Sequence, residues 1–162
     1  MGADDLDAVK ELLARLGLVC VNATALEFLL VQVVALAEQH DDDWCRRAMS
    51  NSGQALKAYQ RAARKSLRGF GTRVPGLAER AAHFLDERNK VVHSVAIMEV
   101  EELVKAEEIS WWHPKSDIER SVSTHYLDQI SGGLQRCYLE AAVLIESVRQ
   151  RRMSDAPSTA ED

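Results

Sequence analysis

Apolar positions recur with helical spacing along most of the chain. Leu12, Leu16, Val19, Ala23, Leu26, Leu30 and Val33 follow alternating steps of four and three residues. That seam predicts a helix from Asp4 to about Gln39, packed along its whole length. Cys20, Val31 and Val34 flank the seam, so the second half meets more than one neighbour. The run Asp41-Asp42-Asp43 ends this helix and can cap the next. A second helix, from Asp43 or Ser52 to Gly69, presents Leu56, Tyr59, Ala63, Leu67 and Phe70 on its apolar face, and Gly69 and Gly71 terminate it. Pro75 suits the first turn of a third helix running to about His93, with Leu77, Ala81, Phe84, Leu85, Val91 and Val92 on one face. Alternation in Ala96–Glu101 then suggests a strand, with Ile109–Trp112 as its hairpin partner, although Glu101–Glu108 has helix-forming composition. Pro114–Ser121 reads as a loop. Leu127, Ile130, Leu134, Cys137, Ala141, Leu144 and Val148 keep a regular three-four spacing and predict a last helix from Ser123 to Arg151, with Gly132-Gly133 off the seam.

The elements add up to an all-α fold. It is a four- to five-helix up-and-down bundle with a short β-hairpin or irregular insertion before the last helix. One domain over residues 1–152 and a polar, disordered tail over 153–162 are expected. Composition agrees: 162 residues hold only 8 Gly and 3 Pro, and 6% are aromatic, which is poor in the residues that strands and hairpins use. Three well-separated cysteines, Cys20, Cys45 and Cys137, exclude a full disulfide framework and point to reduced thiols. Asp4 and Asp5 stand where a signal peptide would be basic. The apolar run Leu18–Ala37 is interrupted by Asn22, Glu27 and Gln32, so it reads as the core helix of a cytoplasmic protein rather than a membrane span.

The formal net charge of −5 argues weakly against a protein that coats nucleic acid, but the charge is unevenly spread. No acidic residue occurs from Asn51 to Gly76, while Lys57, Arg61, Arg64, Lys65 and Arg68 all lie there. On an ideal helix these five fall within an arc of roughly 100°, opposite the apolar face. A solvated amphipathic face carries charge in the same way. The lack of any acidic partner points equally to an anion-binding surface of the kind that tracks phosphates.

The third helix closes on Arg88-Asn89-Lys90-Val91-Val92-His93. Arg88 projects about 20° from Leu77, in the middle of the apolar stripe, where a guanidinium must be paired or aimed at an anion. His93 stands at the predicted helix end, where the helix dipole favours a cation, and histidine is the side chain best suited to proton transfer near neutral pH. Glu27, inside the apolar arc of the first helix, is a candidate partner for Arg88, or else reaches the bundle edge.

With Ala25-Leu26-Glu27-Phe28-Leu29 in the first helix, this segment resembles the HEPN superfamily (higher eukaryotes and prokaryotes nucleotide-binding domains). The family signature is an Arg, often followed by a polar residue such as Asn, with His four to six residues beyond. Arg88, Asn89 and His93 match it. Many HEPN proteins are metal-independent ribonucleases of toxin–antitoxin or phage-defence systems, and others are non-catalytic. Some HEPN toxins carry Tyr two residues after the His; Val95 stands there, so no activity depending on that Tyr is implied.

The resemblance implies a metal-independent endoribonuclease with RNA as partner, together with an antitoxin or regulatory protein. Its alternative is a non-catalytic module binding nucleotide, RNA or protein. In the first reading His93 transfers protons, Arg88 holds the scissile phosphate and Asn89 orients substrate or His93. Arg88 and His93 point about 140° apart on a straight helix, and one chain offers one motif His. A twofold homodimer with a shared cleft relieves both problems. No metal or cofactor is expected: His83, His113 and Cys137 lack ligand spacing, and no Gly-rich phosphate loop occurs.

Overall fold

A computed structural model describes residues 3–51, 53–95, 109–113 and 118–155. Among these the protein is an all-α bundle that carries one two-stranded hairpin. Helix α1 spans Ala3–Glu38, α2 Asp42–Met49, α3 Gln54–Arg64, α4 Arg73–Val95 and α5 Thr124–Asp155. A 3-10 turn covers Arg68–Phe70 between α3 and α4.

The helix ends follow local chemistry. Gln39 takes a left-handed conformation (φ 60°), and the His40 N–H donates to the Ala35 carbonyl at 3.0 Å. That is a Schellman closure, so α1 stops just before the aspartates. Asp41 caps α2 instead, its carboxylate accepting the Trp44 N–H at 2.8 Å, and Asp42 and Asp43 sit at the positive end of the helix. Ser123 caps α5 by accepting the Tyr126 N–H at 3.2 Å. α5 runs on to Asp155, past the predicted stop at Arg151; the rest of the expected tail, 156–162, lies outside the described residues.

The predicted second helix is two helices. Gly53, at φ +82°, takes a backbone conformation closed to most residues and separates α2 from α3. α3 then leaves helical geometry after Arg64 rather than at Gly69. The N–H groups of Lys65 and Leu67 both donate to the Ala62 carbonyl, at 3.0 and 2.9 Å, and the turn buries Leu67 completely. The buried face of α3 is Ala55, Tyr59 and Ala62; Leu56 and Ala63, expected on it, are only half-buried.

The hairpin also pairs differently. β1 (Ile109–His113) joins β2 (Ile118–Val122) antiparallel, with Trp111 opposite Arg120. Ile109–Trp112 is a strand as predicted, but its partner lies within the stretch expected to be a loop. Closing the short connection 114–117 costs less chain entropy than reaching back past a helix-forming segment. The expected strand Ala96–Glu101 lies outside the described residues.

The chain divides into two compact units. In residues 1–24 and 80–136 the buried apolar side chains are Val19 and Ala23 of α1, Ala81, Leu85 and Val91 of α4, and Leu127, Ile130 and Leu134 of α5. Asn22, a polar residue in an apolar run, donates through Nδ2 to the buried Ser131 Oγ at 2.8 Å. Gly133 lies against Phe84 so closely that a Cβ there would stand 2.2 Å from the ring.

In residues 25–79 and 137–162 the core is built from Leu26, Leu30, Val33, Tyr59, Leu67, Val74, Leu77, Cys137, Ala141 and Val148. Val31, Ala48 and Ala55 form a cluster under which Trp44, Cys45 and Met49 pack, fixing α2 and α3. By length and composition Val9–Glu38 is apolar enough to cross a membrane, with mean hydropathy 2.0 over its most apolar window. In this structure 44% of that window is buried in the protein.

Candidate functional site

Arg88, Asn89 and His93 all lie in the last two turns of α4, within the unit formed by residues 1–24 and 80–136. Their exposures follow the helical wheel. Arg88 is half-buried with its Nε shielded from solvent, Asn89 is half-buried and His93 is exposed. Asn89 and His93 make no side-chain hydrogen bond or ion pair among the described residues. Within one chain the Arg88 and His93 side chains therefore occupy different faces of the helix, as 100° per residue requires. Glu27 is half-buried on α1 in the other unit, and neither it nor Arg88 is an isolated charge.

The sequence reading missed the residue next to the motif. Glu87 is only 5% exposed. Lys90 Nζ donates to its Oε1 at 2.8 Å, and the Tyr126 hydroxyl donates to its Oε2. Burial pushes the Glu87 carboxyl up, but the hydrogen bonds from Lys90 and Tyr126, with the nearby Lys90 and His83 charges, hold it below the usual carboxylate range. Lys90 also pairs with Asp86 at 2.7 Å, and Asp86 first, then Glu87, raise its pKa. Lys90 is thus committed to structure, although it stands inside the motif. Glu87 lies on the buried side of α4 and Tyr126 comes from α5, so the network ties the motif turn to the core of its unit. Its signal in the sequence was slight: an acidic residue one position before an out-of-place Arg.

The basic stripe sits in the other unit. Lys57, Arg61, Arg64, Lys65 and Arg68 are all exposed, as expected. Only Lys57, Arg61 and Arg64 share one helix face, because α3 ends at Arg64; Lys65 follows in the turn and Arg68 lies in the 3-10 turn. None of the five forms an ion pair among the described residues. By contrast Lys10, Arg15, Arg46 and Arg149 all do. The structure adds Arg47, exposed in the last turn of α2 and also unpaired among the described residues. Arg47 and Trp44 line a groove of about 390 Å³ with Ala48, Gln54, Lys57, Ala58 and Arg61. A second groove of about 410 Å³ is lined by Lys57, Gln60, Arg61, Arg64 and Lys65. The first lies between α2 and α3, on either side of the turn at Gly53, which no hydrophobic periodicity marks; the second is lined by α3 and the residue that follows it.

Among the described residues no group of three or more His, Cys, Asp or Glu side chains converges as metal ligands. Cys45 is half-buried, and burial followed by the charges of Asp42 and Asp41 raises its thiol pKa, which disfavours the nucleophilic thiolate. The chain matches no protein-family model, no curated protein and no solved structure.

Proposed function

We propose that the protein is a HEPN-like, metal-independent endoribonuclease whose site is completed by a second copy of the chain. The observation that carries this reading is the closing turns of α4, where a half-buried Arg88 accompanies the half-buried Asn89 and the exposed His93, two polar side chains without a hydrogen-bond partner among the described residues. Such polar groups beside a partly desolvated guanidinium suit a substrate that brings its own polar atoms.

The chemistry needs few parts. A His93 imidazole removes the proton of a ribose 2′-hydroxyl, and O2′ attacks the adjacent phosphorus. The O5′–phosphorus bond breaks, and the leaving O5′ takes a proton from an imidazolium. The products are a 2′,3′-cyclic phosphate and a 5′-hydroxyl end. Arg88 holds the phosphate through its planar fork and stabilises charge building on its oxygens. One His cannot stand on both sides of the phosphorus, and Arg88 and His93 of one chain diverge by about 140°. Two α4 helices related by a twofold axis supply the second imidazole and bring the groups together. Toxicity within a toxin–antitoxin or phage-defence system, an antitoxin as partner and a cytoplasmic location belong to the same proposal.

A non-catalytic RNA-binding module is the second reading, favoured by Arg47 of α2 and Lys57, Arg61 and Arg64 of α3, which have no ion-pair partner among the described residues and need no chemistry at α4 to hold a polyanion. Substitution separates the two. In the ribonuclease reading His93→Ala and Arg88→Ala each lower RNA cleavage at least 100-fold, while helicity and the dimer persist. Undiminished cleavage by His93→Ala sinks the mechanism.

A further inference from the structure

The groove between α2 and α3, with the one beside it on α3, carries a property that the helical stripe alone did not show. Arg47 comes from one helix, Lys57 and Arg61 from another, and the three meet around one concavity that Trp44 and Gln54 also line. Lys57 and Arg61 also line the adjoining groove, with Gln60, Arg64 and Lys65. The two concavities, which share Lys57 and Arg61 in their linings, make up a basic track. No acidic side chain lines either one, and none of the five cations has an ion-pair partner among the described residues. Trp44 stands in a rigid setting: it packs on the Val31–Ala48–Ala55 cluster and stacks on His40, ring centroids 4.0 Å apart and planes 14° apart.

We propose that this track seats two consecutive nucleotides of a single-stranded polynucleotide, with Arg47, Lys57, Arg61, Arg64 and Lys65 on the phosphates and the Trp44 indole against a base. Each groove has the volume of a small-ligand site, which suits one nucleotide. A concave site admits an unstacked base, whereas a duplex offers its phosphates on a convex surface. Guanidinium forks match phosphate oxygens, and the two glutamine amides can meet base edges or ribose hydroxyls. An anionic membrane is a poorer fit. A surface-lying basic helix inserts its apolar face, and on α3 that face, Ala55, Tyr59 and Ala62, is already buried in the protein. An acidic peptide would meet the cations but leave the aromatic wall unused. The track is independent of the chemistry at α4, since none of its residues belongs to that helix.

The test uses the full chain carrying His93→Ala, so that no strand is cut, in chelator, with fluorescence anisotropy of labelled ten-nucleotide single strands of RNA and DNA. Arg47→Gln with Arg61→Gln weakens binding at least tenfold and makes the plot of log affinity against log salt shallower by about 1.4, the loss expected for two phosphate contacts on a single strand. Arg46→Gln with Arg149→Gln, which removes equal charge from residues that are already paired, changes affinity less than twofold. An abasic strand binds several-fold more weakly than the intact one, which reports the Trp44 contact without disturbing the fold. Equal affinity for RNA and DNA, or preference for RNA, both agree with the proposal. Wild-type affinity in the Arg47→Gln/Arg61→Gln variant, an equal loss in the control pair, or competition by polyglutamate or phosphatidylserine vesicles as strong as by polynucleotide overturns it. Tight binding by a protein that never cleaves would overturn the ribonuclease reading and leave the track standing.

Discussion

Glu87 shows how a single side chain can dominate its surroundings. A buried carboxylate is costly unless its charge and lone pairs are met, and here Lys90 and the Tyr126 hydroxyl meet them. Because its pKa is held down, the stabilisation from Glu87 is fully present above the unfolded value of about 4.3 and is lost as pH falls through the lower folded value. Lys90 has the opposite sign: its raised pKa gives stability that is present below about 10.4 and is lost as pH rises through the folded value. Glu87→Gln should therefore lower unfolding free energy at pH 7 by about 2 kcal/mol and flatten the acid limb of the stability profile, measured by urea unfolding across pH. An acid limb unchanged from wild type would show that Glu87 is not the group responsible. At this scale the sequence was half legible. Arg88 was conspicuous because it interrupts an apolar stripe, whereas Glu87 gave no pattern, since its partner Tyr126 lies 39 residues away. Asn22 looked like a break in an apolar run and is instead one end of a hydrogen bond to Ser131.

Among the elements, periodicity succeeded where a helix is long and its seam is continuous. α1, α4 and α5 lie where their apolar repeats placed them, within a few residues at each end. It failed where backbone geometry decides: at Gly53, at the turn after Arg64 and in the choice of hairpin partner. The adjacent glycines of α5 make the point testable. Gly132 has only the Arg136 guanidinium near its would-be Cβ, at 3.6 Å, so Gly132→Ala should raise stability by roughly 0.5–1 kcal/mol through helix propensity alone. Gly133 faces the Phe84 ring, so Gly133→Ala should lower stability by about 1 kcal/mol, and adding Phe84→Leu should recover most of that loss. Thermal unfolding of the three variants decides it. Equal gains from both alanines would mean that the Phe84 ring moves aside freely.

For the whole molecule, the net charge of −5 conceals a surface where Arg47 of α2 and Lys57, Arg61 and Arg64 of α3 stand without ion-pair partners among the described residues. Averaged charge gave the wrong sign for this face because the acidic residues cluster elsewhere, at Asp41–Asp43 and Glu99–Glu108 among other places. The proposed shared site makes the oligomer part of the chemistry. Sedimentation at micromolar concentration should give twice the 18.1 kDa chain mass, and activity per chain should fall on dilution through the dimer dissociation range. A monomer with full activity would remove the reason for a second copy. The most direct test of the central claim is incubation of purified protein with RNA in chelator, with the product ends identified. The expected result is strand scission that leaves 2′,3′-cyclic phosphate and 5′-hydroxyl ends and disappears in His93→Ala. Intact RNA, or scission that persists in His93→Ala, contradicts it.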